Sequence, residues 1–336
     1  VRPVLIPAAR RLWRDKQTLQ VGRPSRRAVV VHGLDATRRL VLPLLDGSRT
    51  REQVITLARD QGCHDAQELL ELLEDGGLLL DADTQRPPGL DRAESDRLSP
   101  DLASLALVHG RRAAQALQAR HGARVVVHGG GRVGAPLAAL LAAAGVGTVD
   151  VRDNGAVRVV DTGVGGVNLT DLGRTRADAI NGRLRSLGSA RHPALVILTD
   201  HGAETTAAVL QQSGTPHLLA RVEEHVGVVG PLVLPGSSPC LRCLELVRIQ
   251  LDPGWPALAT QLSRPARSPE ACDGVLAVAV AAQAALQALQ LLDGGSPGSI
   301  GGTLELELPG WRWRRRTWPQ HPGCPCAWAA DVAVPA

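Results

Sequence analysis

The chain has 336 residues, 44% of them hydrophobic, enough to bury a sizeable core and, by length, to form two domains. Its net charge of +4 is too mild to demand a nucleic-acid or membrane partner, and acidic and basic residues alternate along most of its length. No apolar run is expected to approach the roughly 18 residues that span a bilayer, and the opening VRPVLIPAARRLWRDK carries charges within its apolar stretch, so the expected location is the cytoplasm.

Residues 1–81 read as a small module. TLQVG (18–22) and AVVVHGL (28–34) have the composition of short strands, and helical patterns follow from Asp35, Thr50 and Asp65. Thr50 with Gln53, and Asp65 with Glu68, have capping-box spacing, which puts a side-chain acceptor on the first unpaired amides. The third helix, DAQELLELLED, lines up Leu69, Leu70, Leu72 and Leu73, ends at Gly76-Gly77 and runs into the strand-like LLLD. This order predicts a winged-helix-like unit. The next segment, 82–100, is charged, proline-bearing and without apolar periodicity, so it reads as a linker.

From residue 101 to about 330 helices and strands alternate: a helical stretch, the strand ARVVVHG, the helix APLAALLAAAG, the strand TVDVRD, the helix GRTRADAINGRLRSLG, the strand ALVILTD, a further helix and PHLLARV. Such alternation predicts an α/β, Rossmann-like domain, a mostly parallel sheet covered on both faces. The last third departs from the pattern, with cysteine pairs, a long helix (VLAVAVAAQAALQALQLLDGG) and strands such as TLELELP.

VVVHGGGRVGAPLAALL places Gly129, Gly131 and Gly134 at G-x-G-x-x-G spacing between a strand and a helix. Glycines there let the backbone approach phosphate oxygens, and the helix start offers unpaired amides and a favourable dipole. The following strand ends at Asp153, where a carboxylate reaches a ribose hydroxyl. NAD, FAD and ATP all fit this turn, and an empty tight turn fits it too.

Cys240-x-x-Cys243 and Cys324-x-Cys326 supply four thiolates in two short-spaced pairs, a pattern that predicts one tetrahedral, structural zinc. Unrelated thiols or a redox pair at Cys240 and Cys243 are the alternatives, with His321 as a substitute ligand. Cys63 ends a helix and reads as packing. WRWRRRTW (311–318) reads as an exposed strand rather than a nucleic-acid patch.

Five ordered pieces, GGGRVGAPLAALLAAAGVG, DLGRTRADAINGRL, LTDHGAET, PCLRCLEL and ACDGVLAVAVAAQAALQAL, resemble the ThiF/MoeB-like family, relatives of the ubiquitin-activating enzymes. The resemblance implies ATP with Mg2+, a substrate carboxylate attacking the α-phosphate, Asp153 on the ribose, Asp200 on the metal, and Arg176 in the place of a phosphate-binding lysine. Lys16 is the only lysine beside 36 arginines, and Phe, Tyr and Met are absent, a bias that with Val1 suits a GC-rich gene with a non-ATG start. Cys272 matches a family cysteine that in some members captures the acyl group. Two departures bear on ATP turnover: NGAVRVVDTGVGGVNLTD has Asn168-Leu169 without the family's following arginine, Arg158 being the nearest, and the Thr-Asp-Asn triplet becomes Thr199-Asp200-His201.

The first module is similar to the peptide-recognition elements of ribosomally made, modified peptides, in RRLWRDKQTLQVG and LLDGSRTREQVITLA. Its third helix has five acidic residues and no basic one, which argues against a DNA-reading helix. The whole chain thus resembles the leader peptide-binding ThiF-like partner protein of azole- or bacteriocin-forming cyclodehydratases. The expected function is to bind a precursor peptide and support its ATP-dependent modification with a partner enzyme, as a homodimer, with no nucleic acid and no membrane involved. An active adenylyltransferase acting on a ubiquitin-like or sulfur-carrier protein, and an NAD- or FAD-dependent oxidoreductase, are the alternatives.

Overall fold

The structure is a computed structural model that describes residues 1–23, 28–85, 87, 89–184, 190–200, 202–262 and 271–326. It divides into two compact units, Val1–Gln118 and Ala119–Ala336.

In the first unit, β1 (Pro3–Leu5) precedes a three-stranded antiparallel sheet of β2 (Arg11–Trp13), β3 (Leu19–Val21) and β4 (Val29–Val31), in that order. Three helices follow, α1 (Ala36–Val41), α2 (Arg51–Asp60) and α3 (Ala66–Asp75), and β5 (Leu79–Asp81) returns to pair antiparallel with β1. Leu19, Val21 and Val31 face Leu34, Val41, Val54, Leu69, Leu70 and Leu73 across one core. The Thr50 capping box forms, with Thr50 Oγ1 accepting from the Gln53 amide and Gln53 Oε1 accepting in turn from the Thr50 amide. Asp65 does not cap α3. Its Oδ2 accepts from both Arg38 Nε (2.8 Å) and Nη2 (2.6 Å), since a charged donor outcompetes a backbone amide. Buried Cys63 donates to Asp65 at 3.3 Å, and its thiol is pushed up to about 11, chiefly by burial, which fits the packing role expected of it.

The stretch 82–100 is not a bare linker. It holds a 3-10 turn (Ala82–Thr84), α4 (Arg92–Arg97), capped by Asp91, and the start of α5 (Ser99–His109). Fully buried Leu98 joins Ile6, Leu80, Leu105, Ala106 and Leu117 in a small core of this unit. Isolated apolar residues supplied that burial without a visible period, which is why composition pointed elsewhere. Gly110, at φ 56°, ends α5, and α6 (Ala113–Gly122) carries the chain across the unit boundary, which falls after Gln118.

The second unit is built on a seven-stranded mixed sheet in the order β12-β11-β10-β9-β8-β6-β7. Its parallel half is β6 (Arg124–His128), β7 (Thr148–Arg152), β8 (Leu195–Leu198) and β9 (His217–Glu223), connected through α7 (Gly134–Ala143), α8 (Arg176–Asn181) and α9 (Ala203–Gln212). The antiparallel half is β10 (Val226–Val233), then, after α10 (Leu241–Leu251), α11 (Trp255–Leu262) and α12 (Gly274–Leu292), the hairpin β11 (Gly302–Glu307) and β12 (Arg312–Thr317). Strand β10 is invisible to simple patterning because Gly230-Pro231 interrupts it, and its pairing with β9 shifts register between Val229 and Leu232.

Helix α12 is 19 residues long and apolar enough to match a bilayer span in length and composition, which corrects the expectation that no apolar run approaches that length. In the fold it is the core helix. Leu276, Ala277, Val280, Ala281, Ala284 and Ala288 are buried with Val127, Leu137 and Val229, and a side chain on Gly227 of β10 would stand 2.4 Å from Val280.

Candidate nucleotide site and cysteine centre

The chain leaves β6 for β7 on one side and later returns to β8 on the other, so the carboxyl ends of β6 and β8 flank the switch point of the sheet. Ligands of open α/β sheets bind at such points. The three glycines have three separate jobs there. Gly129, at φ 95°, makes the tight turn, and a Cβ on it would lie 2.6 Å from Thr199 Oγ1, which itself donates to the carbonyls of His128 and Gly129. Gly134 lets α7 pack on that turn, since its Cβ would come within 1.9 Å of the Gly129 carbonyl oxygen. Gly131 faces open space, with no heavy atom within 4 Å of an added Cβ, and is the point where a ligand can approach backbone.

Asp153, just past β7, is brought to this turn. Its Oδ2 accepts from the Gly130 amide (2.8 Å) and Arg176 Nη1 (3.1 Å), and its Oδ1 from the Gly155 amide (2.7 Å). Burial alone would raise its pKa, but these donors prevail and hold it below the ordinary carboxylate value.

Arg176, the first residue of α8 behind the Thr175 cap, is placed by two carboxylates rather than one. Its Nε donates to Asp161 Oδ2 at 3.0 Å while Nη1 reaches Asp153. The two acids outweigh burial and raise the guanidinium pKa further. Asp161 was not among the residues read from the sequence. The readable signal was a repeat: Arg158-x-x-Asp161 and Asn168-x-x-Asp171 each close a 3-10 turn in which the aspartate accepts from the amide three residues before it. Arg158 itself is exposed and lies 3.6 Å from Asp161.

Asp200 lies exposed over the turn, with its Cβ 3.0 Å from the Cβ position of Gly129. Burial and Arg152 push the His128 imidazole below its ordinary pKa, against the opposing charge of Asp200. His201 lies outside the described residues. Half-buried Cys272 precedes Asp273, which caps α12, and its carbonyl accepts from Arg132 Nη1 at 2.5 Å, joining this loop to the glycine turn through its backbone.

The cysteine pairs meet on the other face of the sheet. Cys240 occupies the N-cap position of α10 and Cys243 stands in its first turn, while residues 321–326 fold back to bring Cys324 and Cys326 alongside. All four are buried, their sulfurs lie within 4.8 Å of one another, and the nearest pairs are 3.3 Å (Cys243–Cys326), 3.6 Å (Cys240–Cys324) and 3.9 Å (Cys240–Cys243). Four sulfurs around a tetrahedral ion at about 2.3 Å lie about 3.8 Å apart, so this set is close to the spacing such an ion needs. Burial pushes the Cys240 thiol up to about 11 and raises Cys326, whereas backbone hydrogen bonds at His321 and Cys240 hold Cys243 below its ordinary value despite burial. His321 lies outside the four-sulfur cluster, and its Nδ1 accepts from the Gly323 amide.

The mixed sheet, the glycine turn and the acids at its switch point define a Rossmann-type fold. No family model matches the sequence, and no curated protein matches it. Solved structures do. The microcin C7 biosynthetic enzyme MccB in complex with N-formylated MccA superposes with a TM-score of 0.71 at 13% identity, covering 97% of this chain and 99% of that one. E. coli MccB with ATP gives 0.72 at 14% identity, covering 97% and 100%. PaaA gives 0.69 at 15% identity, covering 92% and 98%. At identities this low the likeness shows the fold alone.

Proposed function

We propose that the chain is a ThiF-like protein that binds a ribosomally made precursor peptide through its N-terminal unit and supports that peptide's ATP-dependent modification, of the cyclodehydratase or bacteriocin-maturation kind. The observation that carries the reading is the likeness in fold along 97% of the chain to MccB, solved with MccA in one complex and with ATP in another. In this reading the first unit is the winged-helix-like recognition module, and the leader peptide adds a strand to an edge of its β2-β3-β4 sheet. Cys240, Cys243, Cys324 and Cys326 hold a structural zinc, and the protein works in the cytoplasm as a homodimer beside a separate modification enzyme.

The charge at Arg176 favours a nucleotide site that is degenerate. One guanidinium between Asp153 and Asp161 sums to −1, which neutralises the cation that a polyphosphate needs. A second reading, an active adenylyltransferase, draws on open Gly131 and exposed Asp200. In that reading a substrate carboxylate would attack the α-phosphate with pyrophosphate leaving, and Asp200 would hold the Mg2+ that offsets the phosphate charge.

ATP-pyrophosphate exchange by the full chain, with the precursor peptide present, separates the two. Exchange that disappears in Asp200→Ala establishes the adenylyltransferase, and peptide binding without exchange or ATP heat establishes the binding protein. A full chain that binds neither peptide nor ATP refutes both.

A further inference from the structure

The second unit presents a basic edge that the proposed function does not use. Strand β12 is the last strand of the seven-stranded sheet, and all six of its residues, RWRRRT, are exposed. Its register against β11 sets Arg312 opposite Glu307, Arg314 opposite Glu305 and Arg316 opposite Thr303, so three arginines share one face, each about 7 Å from the next. The same face bears a groove of about 430 Å3 lined by Glu307, Leu308, Pro309, Gly310, Arg312 and Arg314.

The other arginine of the strand is occupied: Arg315 donates to the carbonyls of Gly298 and Ile300 and to Thr317. Arg316 stacks on Trp318 at 4.1 Å. Arg312 and Arg314 form no ion pair among the described residues, because Glu305 accepts from Thr303 and Glu307 faces His225 at 3.7 Å.

Charge on an edge strand usually blocks unwanted pairing. That purpose does not account for Trp311 and Trp313, exposed by 49% and 38% beside the arginines, since aromatic surface on an edge promotes association. A backbone edge without a strand partner among the described residues, alternating cations and flanking aromatics together suit an extended chain with acids at alternate positions. Backbone pairing supplies affinity and the carboxylates supply register.

We propose that β12 is a docking edge for an extended acidic segment of a partner protein, with its carboxylates on Arg312 and Arg314. The site is separate from the leader-binding and nucleotide readings, and its test is independent of both. The probe is a short fluorescein-labelled peptide alternating valine and aspartate, titrated into the full chain and read by anisotropy at low and high salt. Binding should weaken with salt. It should fall by about tenfold or more in Arg312→Glu/Arg314→Glu and in the milder Arg312→Gln/Arg314→Gln, and stay unchanged in Arg59→Glu on α2. Replacing the peptide's valines with proline should abolish it, because backbone pairing is lost. Equal binding of a valine-lysine peptide, tighter binding of single-stranded oligothymidine, retention of the proline peptide, or unchanged affinity in both arginine variants overturns the proposal.

Discussion

Gly131→Ala and Gly134→Ala differ by one methyl group at two positions of the same turn, and the structure predicts opposite consequences. At Gly134 the new Cβ would lie 1.9 Å from the Gly129 carbonyl oxygen, a backbone atom that cannot rotate away. Helix α7 must therefore lift from the turn, at a cost of about 3 kcal/mol, the upper range for overpacking. For a domain of this size, that cost lowers the melting temperature by roughly 6–12 °C. At Gly131 the methyl meets no atom within 4 Å and the backbone is not left-handed, so stability should hold or rise by about 0.4–1 kcal/mol through a less flexible unfolded chain. The same methyl fills the space a phosphate would approach, so if the turn holds ATP its affinity should fall by about tenfold or more, ~1.4 kcal/mol. Thermal unfolding followed by circular dichroism measures the first effect, and titration calorimetry with ATP-Mg2+ the second. Gly134→Ala melting like the parent, or Gly131→Ala losing as much stability as Gly134→Ala, would refute the division of labour argued for the three glycines.

Three further outcomes are expected. Arg120 and Asp293 form a buried bidentate pair with both contacts at 2.6 Å, so Arg120→Ala should cost about 3–5 kcal/mol in urea unfolding while Arg120→Leu/Asp293→Leu costs less, because no charge is left buried alone. Freshly purified protein should carry one zinc per chain by elemental analysis, lost in Cys243→Ser and kept in Cys272→Ser; zinc retained by Cys243→Ser or missing from the parent argues against the four-sulfur centre. Asp153 is depressed in the folded state, so its contribution is present above the ordinary value of 3.8 and is lost as pH falls from there through the lower folded value. Asp153→Asn should show a shallower loss of stability on acidification through that window, and an acid profile parallel to the parent's would count against its hydrogen bonds.

Features governed by neighbours in the chain were legible without a structure. Thr50 and Gln53 are three residues apart and cap one turn, the glycines of the phosphate-type turn follow one another, and the alternation of helix and strand from residue 124 onward announced the parallel half of the sheet. The two cysteine pairs were legible as pairs. That they share one centre is a tertiary fact, set by the fold-back of 321–326 onto α10.

Choices between competing partners were made by packing alone. Asp65 had the spacing of a cap, yet Arg38, 27 residues earlier, takes its carboxylate. Arg176 read as a phosphate ligand, yet Asp161, in a loop without periodicity, shares its charge with Asp153. Leu98 looked like part of a linker until a buried pocket received it. Local spacing determines which turns and caps a chain can form. Which charged or apolar side chain meets which depends on loop closures and burial, and distance along the chain does not encode them.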